Sequence, residues 1–564
     1  MNNKEQGKSY LKQISSQINR YKDVFIVLIK HGFEDLLINI KLKKYISPYR
    51  KTSKTGEKIK EEYSRWERIR MVLEELGPTF IKFGQLMSNR PDLLPQPLII
   101  ELKKLQDEVS PFSPDKAFEI IRKELNEEIN EVFKSLDKEP IAAASIAQVH
   151  KGILLNDDEI IVKVQRPGIH DIIKDDIEIM YTLSKLIEKY IKGAQNFDFP
   201  GIVKEFEKTI YKELDFYIEF QHIEKFRGNF LDNNNIYVPR VYKEYSTSKI
   251  LVMERIIGTP LSEIEKFNDT EQNKEIAINI VESMLKQIFE HGFFHADPHA
   301  GNILALKENK ICFLDFGMMG ILLPKYRQIM ADIMIGFMQK NERKITKAII
   351  KLSENKNIKN EDRFELEIYE LIERYYSVPL KQINVAELLN KLIKLVISHN
   401  IKLPSNITFL FKSMMNIENI ARDLYPNINM IEHIKPYAKN IIKERMGIKS
   451  FFKNFYNTSL ELFNLLKDLP YETRSILSKI KEGEFKIVME HKDFDKFISK
   501  NEQISNRISF SIVLASLIIG SSLIVLADIP PKWNDISVIG LLGFLSAGIM
   551  GFWLLISIIK HGKM

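Results

Sequence analysis

The chain has a single cysteine, Cys312, in 564 residues. That excludes an intramolecular disulfide and any CxxC site. Cys312 lies in the apolar run Ile311-Cys312-Phe313-Leu314, where a buried, structural thiol is expected. Glycine and proline are sparse, at 24 and 21 residues, and the abundance of Lys, Ile and Asn suits a low-GC, bacterial genome. A dominant charge is missing too. Lys and Arg number 82 against 75 Asp and Glu, so the net charge does not argue for nucleic acid. No zinc-finger spacing or RNA-binding aromatic signature is present. The start, Met-Asn-Asn-Lys-Glu, carries acid and lacks an apolar run with a small-residue cleavage site, so neither a signal nor a transit peptide is expected. The length exceeds what one hydrophobic core serves, so two or more domains are expected.

What is present is periodic. Residues 1–60 are basic and partly amphipathic. Their Phe25–Ile29 run is too short to span a bilayer and is expected in a core or against a partner. A helical pattern runs from Trp66 to Gly77-Pro78. A second helix carries Phe80 to Leu86 and is ended by Pro91 and Pro95. Residues 112–135 read as a further helical unit. Strand signals follow. Ile141 to Gly152 leads to the turn Asn156-Asp157-Asp158-Glu159, and Ile160 to Val164 returns, giving a hairpin with Lys163 on its second strand. Ile202 to Phe226 reads as one helix, with Phe206, Ile210, Leu214 and Tyr217 at spacings of four, four and three. Lys249 to Glu254 reads as a buried strand entering a linker near Gly258. Residues 270–500 read as nearly all helical apart from two loops.

The end of the chain holds two long uncharged runs, Ile508 to Ala527 and Ile536 to Ile559. Each spans roughly 30 Å as a helix, the thickness of a bilayer core. The short link Asp528 to Asp535 makes them a hairpin. Gly543, Ala547 and Gly551 on the second helix, and Ser511 with Ala515 and Ser516 with Gly520 on the first, recur every four residues, which allows close backbone approach. Lys500, Arg507, Lys560 and Lys563 flank the open end, and only Lys532 lies in the link. The positive-inside rule then puts the large domain in the cytoplasm.

The chemistry sits in two loops. His295-Ala296-Asp297-Pro298-His299-Ala300-Gly301-Asn302 is followed by Leu314-Asp315-Phe316-Gly317. Phosphoryl transfer asks for metal ligands near the phosphates and a carboxylate near the nucleophile, in this order along the chain. Carboxylate and amide oxygens suit Mg²⁺. An ammonium on Lys163 would neutralise phosphate charge if a helix carboxylate held it. The 202–226 helix offers Glu213, Asp215 and Glu219. Asp215 and Glu219 are four apart and share a face, while Glu213 points elsewhere.

On these residues the chain resembles the UbiB family of atypical kinase-like proteins, those tied to ubiquinone biosynthesis. Lys82-Phe83-Gly84-Gln85 matches its KxGQ motif, Ala142-Ala143-Ala144-Ser145 its Ala-rich loop, and Glu213-Leu214-Asp215 its ExD motif. The two catalytic loops complete the set. The likeness covers about Trp66 to Pro324, extends more weakly to the helical tail and leaves out residues 1–60. It implies an α+β, atypical protein-kinase-like bilobal fold. The N-terminal segment 1–60 would precede a helical extension at 61–135, an N-lobe at 136–258, a helical C-lobe at 259–500 and a transmembrane hairpin at 501–564.

The resemblance also implies roles. Asp297 would stand at the catalytic base, with Lys163 paired to Glu219 and touching the α- and β-phosphates. Ala142, Ala143, Ala144, Ser145, Lys163, Met253 and Glu254 would bind the nucleotide. Asn302 and Asp315 would hold Mg²⁺. Lys82 and Gln85 would lie on a regulatory extension over the cleft, near Glu213 and Asp215. Cofactors are then ATP and Mg²⁺. Expected partners are a nucleotide, anionic membrane lipids, quinone intermediates or quinone-biosynthetic proteins and a second copy of the chain, with no nucleic acid.

The implied activity is a membrane-anchored ATPase supporting isoprenoid-quinone or prenyl-lipid metabolism, at the cytoplasmic face of a bacterial membrane. A small-molecule or lipid phosphotransferase and a nucleotide-sensing scaffold stand as alternatives. Two departures from protein kinases matter. No GxGxxG precedes Lys163, and Ala at 142–144 restricts the backbone approach that Gly permits. His299 also stands where protein kinases carry Lys, which removes a fixed positive charge.

Overall fold

The computed structural model describes residues 18–39, 59–60, 62–88, 90, 93–105, 110–191, 198–263, 270–353, 360–376, 383–446, 481, 494–527, 529–534 and 536–561. Pro91, Lys563 and the helices expected across 447–493, Lys481 apart, lie outside them. The chain divides into two units, Met1–Phe451 and Phe452–Met564.

In the first unit, residues 18–30 are helical and bury Val24, Phe25, Val27 and Ile29. Phe25 and Ile29 pack with Leu183, Leu186 and Ile187, so the Phe25–Ile29 run belongs to a core. Helix α1 (Arg65–Leu76) starts in a capping box of Ser64 and Glu67 and ends at Gly77. Helix α2 (Pro78–Ser88) begins on Pro78. Its Gly84 permits a close approach: a Cβ there would lie 2.3 Å from Leu105 Cδ1 and 2.9 Å from Leu73 Cδ1.

Helix α3 (Pro114–Leu125) precedes a five-stranded antiparallel sheet made of β1 (Phe133–Leu136), β2 (Ala142–Ala143), β3 (Ala147–Leu154), β4 (Glu159–Gln165) and the later strand Ile250–Glu254. Two expectations change here. Residues 133–135, read as helical, belong to the strand β1. The run 141–152, read as one strand, breaks at 144–146, because Ala144 N bonds Ala147 O and turns the chain.

Strand alternation then sorts β4 into two faces. Ile160, Val162 and Val164 are buried in a cluster with Ala117 and Ile121 of α3. Lys163 takes the opposite face. Helix α4 (Ile169–Tyr190) follows, and the helix expected over 202–226 is two: α5 (Phe199–Leu214) and α6 (Phe216–Asn229).

The larger helical lobe holds α7 (Thr270–Lys286), α8 (Pro324–Met338) and α9 (Ser405–Leu424), with further helices between α8 and α9. The stretch after residue 270 is less uniformly helical than its sequence suggests. In chain order the strands beyond β4 are β5 (Ile236–Tyr237), β6 (Ile250–Glu254), β7 (Thr259–Pro260), β8 (Phe293–His295), β9 (Ile303–Ala305), β10 (Ile311–Phe313) and β11 (Met319–Ile321). The last four frame the two loops. Strands of three residues are too short for a period-2 pattern to be read.

The second unit pairs α10 (Phe494–Leu526) with α11 (Val538–His561). Its stretches Ile504–Leu526 and Val538–Ile556 are long and apolar enough to cross a membrane. Gly543 lies on Ser521: a Cβ at 543 would sit 2.1 Å from its Oγ. Ser521 and Ala547 are buried between the helices. The Ser511, Ala515 and Ser516 positions expected at that contact are exposed instead, because the pairing puts Ser521 opposite Gly543.

Candidate active site

Two strand ladders deliver the loop residues to one edge. In the β9–β10 hairpin Ile303 faces Phe313, so Asn302 and Leu314 are neighbours, and Leu314 N donates to Asn302 O at 3.0 Å. In the β8–β11 pair His295 faces Met319, which sets Asp297 and Asp315 just beyond the paired ends. His295 ties the loops together. Its Nε2 donates to the Asp315 carbonyl, so its Nδ1 is the acceptor for the Asp297 amide at 3.2 Å. Burial lowers its pKa and keeps it neutral. Phe316 is fully buried and meets Phe226 of α6 edge-on. His222 of α6 donates to the Phe316 carbonyl at 2.8 Å.

Lys163 projects from the other lobe. Its Nζ donates to Glu219 Oε2 at 2.8 Å and lies 5.2 Å from the centre of the Phe216 ring. Burial opposes its charge, but Glu219 and Asp315 outweigh burial and hold its pKa above the ordinary lysine value. Burial pushes the Glu219 carboxyl up. Asp315 is open to solvent although protein crowds around it. That crowding works against its charge, yet Lys163, the Gly317 amide and Lys82 overcome it and push its pKa down to about 2. The Gly317 amide donates to Asp315 Oδ1 at 2.9 Å.

The extension reaches the same place. Lys82 Nζ lies 3.5 Å from Glu213 Oε2, and its charge is felt at both Lys163 and Asp315. Gln85 is directed elsewhere, donating to Leu105 O at 3.3 Å. Asp215 does not join Lys82, nor does it share a helical face with Glu219. It leaves helical geometry at φ −94° and ψ 94° and caps α6 through the Tyr217 amide at 3.1 Å. The helix breaks here because its freed groups find partners. Gln165 Nε2 donates to Leu214 O at 2.7 Å, and Phe216 N donates to Ser248 O at 3.0 Å.

The residues expected around a nucleotide divide by face. Ala142 pairs with Val149, Val149 with Lys163, Lys163 with Leu251 and Ile161 with Met253. Ala142 and Met253 therefore share the face of Lys163. Glu254, one residue on, turns its carboxylate to the Tyr237 hydroxyl at 2.7 Å and the Arg240 amide at 3.0 Å. Ala143 pairs with Gln148 on the other face. Arg166 Nη2 braces the turn by donating to Ala144 O at 3.3 Å. Ser145 is fully buried, and its hydroxyl has no hydrogen-bond partner among the described residues.

One residue that the sequence did not single out completes the group. Lys412 of α9 places its Nζ 2.6 Å from Asp297 Oδ1. Burial opposes the Asp297 charge, and Lys412 overcomes it to hold that carboxyl below the usual range. His299 itself is exposed, and the cation paired with Asp297 is carried 115 residues downstream, on Lys412. No local signal marks Lys412, since a lysine on an amphipathic helix is usually a solvated one.

Comparison with known proteins agrees along most of the chain. A family model described as the ABC1 atypical kinase-like domain matches residues 104–349. A UbiB helical domain model matches 368–429, and an ABC1/UbiB kinase-like C-terminal domain model matches 492–560. A Clostridium pasteurianum protein described as uncharacterized, in the hydrogenase 1 5' region, is 36% identical over 504 residues, 88% of this chain and 94% of that one. A probable protein kinase UbiB from Pseudomonas putida (strain W619) is 33% identical over 467 residues, 81% of this chain and 85% of that one. A solved structure, the Rv3197–erythromycin complex from Mycobacterium tuberculosis, covers 64% of this chain and 93% of its own at 23% identity, with a TM-score of 0.48.

Proposed function

The chain belongs to the ABC1/UbiB family of atypical kinase-like proteins, and from that membership we propose that it is a membrane-anchored, Mg-ATP-dependent ATPase serving isoprenoid-quinone or related prenyl-lipid metabolism. The observation that carries this reading is the Lys163–Glu219 pair at 2.8 Å, electrostatically coupled to Asp315. A lysine held by a buried acid, next to an ionised aspartate, is what a phosphate chain with a divalent cation calls for.

The donor set fits magnesium. Asn302 and Asp315 offer one amide and one carboxylate oxygen. Among the described residues no cluster of three or more His, Cys, Asp or Glu could cage a metal. Mg²⁺ prefers one or two protein oxygens completed by phosphates and water. When bound, it supplies charge neutralisation at the phosphates. Lys163 then binds phosphate oxygens while Glu219 fixes the ammonium. The buried Ser145 hydroxyl has a donor to offer, which supports a ligand at the Ala-rich turn. Asp297 is held ionised, so its work is to orient the attacking hydroxyl or water rather than to be a strong base.

Lys82 and Glu213 narrow the approach from the extension, which favours water, a small molecule or a lipid head group over a protein loop. A lipid or small-molecule phosphotransferase is the second reading, favoured by the same Asp297 geometry. The hairpin would anchor the chain in a bacterial membrane rich in anionic lipid, with the kinase-like domain on the cytoplasmic side. Calorimetry on the full chain in detergent tests the nucleotide site. ATP should bind with Mg²⁺, and Asp315→Asn should weaken binding by about 1–3 kcal/mol, the scale of a lost charge-assisted bond. Equal binding without metal would overturn the assignment.

A further inference from the structure

We infer that Lys412, carried by α9 from beyond the kinase-like domain, is the positioning residue of the transfer site, supplying at Asp297 the fixed cation that position 299 does not. This rests on reading Asp297 as the carboxylate that orients the acceptor. The support is geometric. The Lys412 Nζ stands 2.6 Å from Asp297 Oδ1, and its side chain is 19% exposed. An ion pair between mobile surface groups would contribute little, but this one is held on both sides.

The next residue, Ser413, is fully buried and donates from its hydroxyl to the His295 carbonyl at 2.6 Å. At the start of α9, Asn406 Nδ2 donates to Ile321 O at 3.1 Å, at the end of β11 beyond the Asp-Phe-Gly triplet. The helix therefore grips the strand leading into the first loop and the strand leading out of the second. Lys412 is aimed at Asp297 by that grip and not by its own flexible stem. Meanwhile His299, exposed, opens the short turn Ala300–Asn302; its backbone N–H donates to Asp297 O at 3.0 Å, but among the described contacts its imidazole makes no hydrogen bond to the Asp297 carboxylate. The helical segment matched outside the kinase-like domain, 368–429, thus contains a working part of the site.

The arrangement also says how Lys412 acts. Its ammonium is paired with the Asp297 carboxylate, and no described hydrogen bond or ion pair links it to Lys163, Glu219 or Asp315. Its loss should therefore leave nucleotide affinity intact and slow the chemical step. Asp297 would lose its fixed rotamer, and a misplaced orienting group costs about 10²-fold in rate.

The test uses the full chain in detergent or vesicles, with Lys412→Met and Lys412→Gln made in parallel so that one folded variant suffices. Mg-ATP affinity is read by calorimetry, and turnover by single-turnover phosphate release. The expected result is unchanged affinity, a turnover rate down by about 10²-fold, and recovery of most of the rate in Lys412→Arg, which keeps the charge. Adding His299→Lys to Lys412→Met should also restore rate, since it returns the cation from the loop itself; a packing role for Lys412 would not respond to that change. Turnover in Lys412→Met equal to that of the unaltered chain overturns this inference and leaves the proposed function standing. Nucleotide binding without any turnover in the unaltered chain overturns both.

Discussion

Lys163 and Glu219 form a pair in which losing one partner harms the other. Their side chains are 22% and 6% exposed. Lys163→Met would leave an uncompensated, largely buried carboxylate, which typically costs about 3–5 kcal/mol. Lys163→Met should therefore lower the thermal midpoint more than the double variant Lys163→Met/Glu219→Gln, as a melting curve would record. The pH dependence has a definite sign. Burial already raises the Glu219 pKa above the ordinary glutamate value of 4.5, and removing Lys163 raises it further. The native state then binds more protons than the unfolded chain from about pH 4.5 up to the raised value, so stability falls as pH rises through that window. The deficit of Lys163→Met should shrink on acidification toward pH 5; a deficit constant with pH would show that Glu219 is not the stranded charge. At this scale the sequence went far. Lys163 was legible because strand alternation isolates a lysine among Ile and Val. Asp215 was not legible as a cap, because nothing in a run of apolar spacings announces that Gln165 and Ser248 will take up the groups freed at a break.

Helix α2 reaches its place because Gly84 lets it lie against Leu73 and Leu105. Gly84→Val would overpack that contact, at a cost of about 1–3 kcal/mol, and should lift the extension from the cleft. A crosslink measures this directly. With the buried Cys312 replaced by serine, Lys82→Cys and Glu213→Cys should be joined by a short bifunctional reagent, because the native groups lie 3.5 Å apart. Adding Gly84→Val should abolish the product on a mass spectrum while the protein stays folded. A persistent crosslink would mean that Gly84 does not seat the helix. The long amphipathic helices were legible from their period. The three-residue strands framing the catalytic loops were not, since their order comes from pairing with residues far along the chain and not from a local repeat.

At the scale of the whole molecule the chain is two units, and contacts divide it near Phe451. Truncation after Phe451 removes both apolar helices and should leave a folded kinase-like domain that still binds Mg-ATP. It should also free that domain from membranes, apart from weak, salt-sensitive attachment to anionic lipid. Carbonate-resistant retention of the truncated chain would show that the anchor lies elsewhere. The two apolar runs, the loop motifs and the strand lysine were all readable in advance because each depends on local composition and spacing.

The sequence by itself therefore determined the kinase-like fold class, the family, the order of the site residues and the presence of two bilayer-length helices. These follow from period, length and motif order, which are properties of neighbours in the chain. Only the tertiary structure decided which side chains meet. It turned Asp215 into a helix cap and set the Glu254 carboxylate on the face away from Lys163. It put Ser521 against Gly543 and brought Lys412 across 115 residues to Asp297. Such contacts depend on how helices and strands pack, and the register of that packing is set by the whole core, not by any short stretch of residues.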